Sequence, residues 1–221
     1  MLRWELEAQF LVGCLRLADK GFLNCSSNSM SFRIPGNDEM VLAAGLEDWR
    51  TVGRATICTQ SFVSKDVVAA LHGSIYLERP DAGAVVISSP KGVRLLAKSG
   101  GALPPLFDEQ VRHIGRAMGT PLAERDASRK RIRKAFQRGA NAALLGERLL
   151  CLGMTCERAV FNTELLEKCA QAYVIARASG IPAGAIPAWV SVIANRRLLK
   201  DERRAAAHYL NGQLPEGTIT Y

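Results

Sequence analysis

Apolar residues recur at Leu6, Phe10, Leu11, Cys14, Leu15 and Leu17, at helical spacing that predicts a helix from Trp4 to Lys20, stopped at Gly21. The polar, turn-rich stretch Asn24 to Ser29 follows. Met30-Ser31-Phe32-Arg33-Ile34 then alternates as a strand does, closed by Pro35-Gly36-Asn37. Glu39 to Ala44 predicts a second strand, so the two form a hairpin, and a third is expected within Val52 to Thr59. Asp66 to Leu77 fits a helix with Val67, Ala70, Leu71, Ser74 and Ile75 inward, stopped before Pro80. Ala84 to Ser88 is a short apolar strand, and Pro90 to Lys98 begins another helix.

Two further strands, Asn141 to Leu145 and Leu149 to Leu152, flank a turn at Gly146-Glu147-Arg148. Thr155 is placed to cap a long helix from Cys156 to Ala178, with Leu165, Leu166, Cys169, Ala170, Tyr173 and Val174 on one face and Gly180 as its stop. Pro187 opens a last helix through Ala207. Interleaved helices and strands make an α/β domain, and adjacent strands imply a sheet that is not purely parallel. At 221 residues the chain suits one core, so residues 1–221 are taken as a single domain.

Composition narrows the class. Hydrophobic residues at 48% and charged ones at 23% are ordinary for a folded globular protein. No apolar run reaches the ~20 residues of a spanning helix, so a membrane is not expected as a partner. Met1 to Glu7 carries acidic residues before any apolar stretch, so no secretory leader is expected. The six cysteines lack a C-x-x-C pair and read as reduced thiols of a cytoplasmic protein.

The net charge is +8, and much of the excess sits in Arg129 to Arg138. There Ile132, Ala135, Phe136 and Gly139 share one helical face, Arg129, Lys130, Arg133, Lys134 and Arg138 take the other, and Ser128 stands at the cap. This predicts an amphipathic surface helix with a solvated basic face. Nucleic-acid binding would want aromatic platforms nearby, and only Phe136 is close, on the apolar side.

His72-Gly73-Ser74-Ile75-Tyr76-Leu77-Glu78-Arg79-Pro80-Asp81, followed by the strand from Ala84, resembles the helix–turn–strand signature of the class II aldolase/adducin family. Leu152 to Ala159 with Glu164 to Ala170 is similar to that family's final strand and the helix behind it. Asn28 to Arg33 resembles its Gly-Asn-x-Ser-x-Arg segment, and Ala43-Ala44-Gly45 stands where the family has Pro-Ser/Thr-Gly. The resemblance is clearest over residues 11–180. It implies a three-layer domain, a central, largely antiparallel or mixed sheet flanked by helices, of the fuculose-phosphate aldolase-like kind. It also implies a homo-oligomer, tetrameric in relatives, to which Tyr209 or Tyr221 would contribute at a neighbour's pocket.

The resemblance further implies a zinc held by three histidines, two in a His-x-His after the Arg-Pro-Asp strand and one in a His-Gly before the late strand. Zinc wants nitrogen or sulfur donors in a tetrahedral shell with one open position. The matching positions here are Ile87, Ser89 and Glu147, with Arg148 for the glycine. The family's acid/base carboxylate falls on Val68, and Asp66 lies two residues off, about 200° around a helix. Asn28, Ser29 and Ala44 likewise replace phosphate-gripping residues.

Of the three histidines, His72 matches a family position that is not a zinc ligand and reads as packed or hydrogen-bonded, whereas His113 and His208 show no zinc spacing. A ligand set of His113, Cys151 and Glu147 has no spacing to recommend it.

The expectation is therefore a relative without catalytic or metal residues and without a cofactor, serving as a non-catalytic or repurposed binding domain. Ser29, Gly45, Ser64, Ser89 and Glu147 would line a pocket for a small polar ligand. The competing expectation is an aldehyde-lyase or epimerase on a sugar or sugar phosphate working through a different site.

Overall fold

The computed structural model describes residues 3–123 and 128–215. Tyr221, Met1 and Leu2 lie outside them. Six strands form one sheet: β1 (Ser29–Arg33), β2 (Glu39–Ala44), β3 (Ile57–Ser61), β4 (Ala84–Ser88), β5 (Ala142–Leu145) and β6 (Arg148–Gly153), in the order β3-β2-β1-β4-β6-β5. Every pairing between these strands is antiparallel. The helices are α1 (Arg3–Asp19), α2 (Val67–Glu78), α3 (Lys91–Lys98), α4 (Asp108–Ile114), α5 (Arg129–Ala135), α6 (Cys156–Ala178) and α7 (Ala188–Leu210).

Strand alternation divides the core into two faces. Met40, Leu42, Val85, Ile87, Leu150 and Leu152 point to α2 and α5, where Leu71, Ile75, Tyr76, Ile132 and Phe136 cover them. Met30, Phe32, Val41, Ala43 and Val86 point the other way, onto Phe10, Cys14 and Leu17 of α1 and onto Ala159 and Val160 of α6. Leu144, Leu149 and Cys151 continue that second face under α3 and the middle of α6. The result is three layers, helix–sheet–helix.

The register separates two ends of the sheet. Ser29, Ala44, Ser88 and the Gly146–Glu147 turn lie at one end, because Ser29 pairs with Ala44 and Ile87, and Ser88 with Leu149. Arg33, Ala84 and Gly153 lie at the other, and α7 closes it. There Tyr209 donates its hydroxyl to the Met154 carbonyl at 2.8 Å, and Glu202 joins Arg79. Tyr209 is thus buried within its own subunit and is not available to complete a neighbour's pocket, which corrects the expectation for it.

Other expectations move as well. The third strand begins at Ile57, because two short 3-10 turns take up Trp49–Thr51 and Arg54–Thr56. In α2 the inward residues are Ala69, Leu71, His72, Gly73, Ile75 and Tyr76, while Val67 is 74% exposed. Position 67 opens the first turn, where the chain still faces water, and the helix is then covered by β1 on one side and α5 on another. The basic face of α5 is not simply solvated. Arg129 and Arg133 each reach Glu78, at 2.7 and 2.6 Å, and tie α5 to α2.

Candidate functional site

The sheet end that carries Ser29, Ser88 and the β5–β6 turn gathers most of the residues singled out in the sequence. β1 sends Met30 and Phe32 to the α1 side, so Ser29 and Ser31 face α2, where His72 and Tyr76 stand one turn apart. Ser29 Oγ lies 2.8 Å from His72 Nε2 and Ser31 Oγ lies 2.7 Å from His72 Nδ1. Ser31 Oγ is also 2.7 Å from the Tyr76 hydroxyl. Four polar groups thereby hydrogen-bond to one another away from water.

Burial, with no carboxylate in this chain of bonds, pushes His72 down to about 3. The ring is neutral in the folded protein and takes a proton near pH 6.5 once unfolded. Its contribution to stability is complete above about pH 6.5 and is lost as the pH falls toward about 3, at about 1.4 kcal/mol per pH unit. His113 is pushed to about 3 as well, by burial and then by the Arg158 and Arg112 guanidinium groups. Urea unfolding at pH 7, 6 and 5 is expected to show uptake of between one and two protons on unfolding. His72→Gln is expected to remove about one of them, and an unchanged slope would refute the neutral buried ring.

The loop before β1 closes over the same end. Ser89 donates to Asn28 Oδ1 at 2.9 Å, and Asn28 Nδ2 donates to the Phe22 carbonyl and to Asn24 Oδ1. The Ser89 amide also bonds to the Phe22 carbonyl, at 2.9 Å. Arg148 reaches across to donate to the Ser27 carbonyl. The side chain at position 28 thus fills the space that a glycine would leave for a ligand. At the start of α3, the amides of Gly92 and Val93 meet the two oxygens of Glu167 at 2.8 and 2.9 Å. An internal carboxylate takes the place where a helix N-terminus would receive an anion.

Ser29 and Ser89 are buried and engaged in these bonds. Gly45 follows β2 with φ of +72°, a left-handed conformation that suits glycine. Ser64 sits in the turn ahead of α2 and accepts from the Asp66 amide at 3.1 Å. Glu147 is exposed on the β5–β6 turn, 3.9 Å from Lys98 Nζ. Asp66 is the N-cap of α2 and accepts from the Ala69 amide at 2.8 Å, so its carboxylate is used by the helix. Val68 packs against the α2-side core.

At the three positions where the resemblance implies zinc ligands, Ile87 is 2% exposed inside the core, Ser89 is held by Asn28, and Glu147 points to water. This donor set does not fit a tetrahedral zinc. His113, Cys151 and Glu147 do not converge either. His113 lies beside Asn141 at the α7 end, Cys151 is within β6 under α3, and Glu147 is at the opposite end. Among the described residues, no three His, Cys, Asp or Glu side chains are placed to hold a metal ion.

A family model described as the class II aldolase and adducin N-terminal domain matches residues 8–174. The chain belongs to this family. No curated protein sequence matches. Solved class II aldolase-like structures share the fold at low identity. L-fuculose-1-phosphate aldolase from Thermus thermophilus is 19% identical, with a TM-score of 0.66 over 80% of this chain and 97% of that one. L-fuculose 1-phosphate aldolase from Glaciozyma antarctica is 18% identical, with a TM-score of 0.72 over 97% of this chain and 93% of that one. A putative aldolase/epimerase/decarboxylase from Escherichia coli is 17% identical, with a TM-score of 0.71 over 86% and 98%.

Within the class II aldolase frame, the His72–Ser29–Ser31–Tyr76 chain and the Asn28–Ser89 closure were not anticipated from the sequence. A period-2 strand with serine at alternate positions, opposite a helix bearing His and Tyr four apart, was the signal available.

Proposed function

We propose that this class II aldolase/adducin-like protein has lost zinc-dependent aldol cleavage and serves as a non-catalytic or repurposed binding domain, assembled as a homo-oligomer. The observation that carries this reading is the fate of the three ligand positions. Ile87 is committed to the core, Ser89 to Asn28, and Glu147 to the surface. A zinc ion in this family acts as a Lewis acid on a substrate oxygen, and it needs several nitrogen or sulfur donors at once. A single exposed carboxylate does not hold it. General base catalysis would rest on the exposed Glu147 alone, since Asp66 caps a helix and Glu167 is bonded to the start of α3.

Any small polar ligand at this end would meet Ser29, Gly45, Ser64, Ser89 and Glu147, and would have to displace the Asn28–Ser89 contact to reach the two buried serines. Elemental analysis of tag-free protein, purified without added metal or chelator, is expected to find far less than one zinc per chain. The same protein is expected to leave L-fuculose 1-phosphate, the substrate named for the similar aldolases, uncleaved. Stoichiometric zinc with chelator-sensitive cleavage would reject the proposal and bring forward a lyase or epimerase.

A further inference from the structure

α7 is a 23-residue helix, about 34 Å long, whose inner face is fixed by Ala194, Leu198, Glu202, Ala205 and Tyr209. Its outer face is one stripe. Trp189 and Ile193 open it, at 68% and 46% exposure; Arg196, Lys200 and Arg203 run along its middle with Arg197 at their side; Leu210 ends it, 81% exposed. The helix has two acids, and neither joins the stripe. Asp201 pairs with Arg112 and stands 3.9 Å from Arg204, and Glu202 is buried against Arg79.

Arg196, Arg197, Lys200 and Arg203 form no ion pair with the described residues. Like charges three and four residues apart on a helix destabilise it, and solvated helices ordinarily interleave acids to avoid this. An uninterrupted row of cations is therefore best explained by an anionic surface that it meets. A second copy across a two-fold axis is a poor occupant, because cations would meet cations, and a head-to-tail contact through this face would show instead as a loss of oligomer in the triple variant described below. The apolar residues decide between the remaining anionic surfaces. A phosphodiester backbone matches the cations and gives Ile193 and Leu210 nothing to bury against. At a bilayer surface the cations meet headgroups while tryptophan and aliphatic side chains enter the interface.

We propose that the outer face of α7 docks on anionic phospholipid surfaces, with Arg196, Lys200 and Arg203 on the headgroups and Trp189, Ile193 and Leu210 in the interface. The groove between α4 and α7, about 590 Å³, carries Asp108 and Glu109 beside Trp189, so the attraction is centred from Arg196 onward. No helix among the described residues is long and apolar enough to cross a membrane. Surface docking needs no such helix. This inference is independent of the pocket at the other end of the sheet.

Co-sedimentation of the full chain with phosphatidylcholine vesicles, with and without about three parts in ten phosphatidylserine, tests it. Binding is expected only to the mixed vesicles and weakens as salt is added. Each cation near such a surface contributes about fivefold, so the triple substitution Arg196→Ala, Lys200→Ala, Arg203→Ala is expected to lower binding ~100-fold. All three sites are exposed and alanine favours helix, so the variant's melting temperature should match the parent's. Trp189→Ser, a second and independent variant, should lower binding while preserving its salt dependence. Equal binding to neutral vesicles, undiminished binding by the triple variant, or preferential capture by duplex DNA in competition would each overturn the proposal.

Discussion

Arg79→Ala is expected to destabilise the protein by about 3–5 kcal/mol, a large share of the roughly 5–15 kcal/mol that holds a typical domain folded. Arg79 is buried and donates in every direction available to it. Its fork meets both oxygens of Asp81 at 2.8 and 2.6 Å, and Nη2 also reaches Glu202 at 3.1 Å and Asn141 Oδ1 at 2.7 Å. Nη1 meets the Ala140 carbonyl at 2.7 Å. Without the guanidinium, Asp81 and Glu202 are two neighbouring carboxylates out of water, and burial together with Asp81 already raises the Glu202 carboxyl.

The cost comes from stranding those charges more than from losing an attraction. Arg79→Lys keeps the charge and loses the fork, so it should fall between wild type and Arg79→Ala. Chemical denaturation with unchanged m-values gives the comparison. A loss below about 1 kcal/mol for the alanine variant would mean the network does not hold α7 to the sheet.

Gly73→Ala is the second large effect, and helix propensity alone gets its sign wrong. Gly73 lies inside α2, where alanine would ordinarily be better by about 1 kcal/mol. Here a Cβ would come within 1.9 Å of the Phe62 carbonyl oxygen and 2.6 Å of the Phe62 carbonyl carbon and Cα. Those are backbone atoms and cannot rotate aside, so α2 must move off the segment that follows β3. That shift also displaces His72 from Ser29 and Ser31.

Overpacking of this kind costs about 3 kcal/mol or more and outweighs the propensity gain. Gly184→Ala is the matched control, since nothing lies within 4 Å of its added Cβ, and it should be near neutral. If Gly73→Ala were as stable as Gly184→Ala in a thermal melt, the close approach of α2 to Phe62 would be wrong.

Both substitutions fall in the His-Gly and Arg-Pro-Asp segments that carried the family resemblance. The sequence marked these segments without giving their reason, which is packing and charge burial at long range. Arg79 meets Asn141 and Glu202, 62 and 123 residues away, and no local pattern reports such partners.

The expected strand boundaries at Glu39–Ala44 and Ala84–Ser88 agree with the structure to the residue, and the helix expected from Cys156 to about Ala178 spans those residues. Each is a periodic segment bounded by turn chemistry, with Pro35-Gly36-Asn37 before β2 and Thr155 and Gly180 around α6. The inward face of α2 differs from the one its spacing predicts because the helix is covered on several sides and its periodicity is nearly lost. In sequence the basic run from Arg129 is denser than the stripe of α7 and draws attention first. In three dimensions Glu78 pairs with Arg129 and Arg133 of α5, while in α7 Glu202 is buried against Arg79 and Asp201 meets Arg112 and Arg204, so that neither acid joins the row of Arg196, Lys200 and Arg203.

By itself the sequence determined the element order apart from α4, the α/β class, the family, and the replacement of histidine at Ile87, Ser89 and Glu147. Those are properties of residue identity and local period, which do not depend on what a side chain meets. Only the tertiary structure decided that all strand pairs run antiparallel, that Tyr209 serves its own subunit, and that Ser29, Ser31, His72 and Tyr76 consume one another's hydrogen bonds. The physical reason is that a polar group's fate depends on its partner and its burial, and both are set by segments tens of residues apart in the chain.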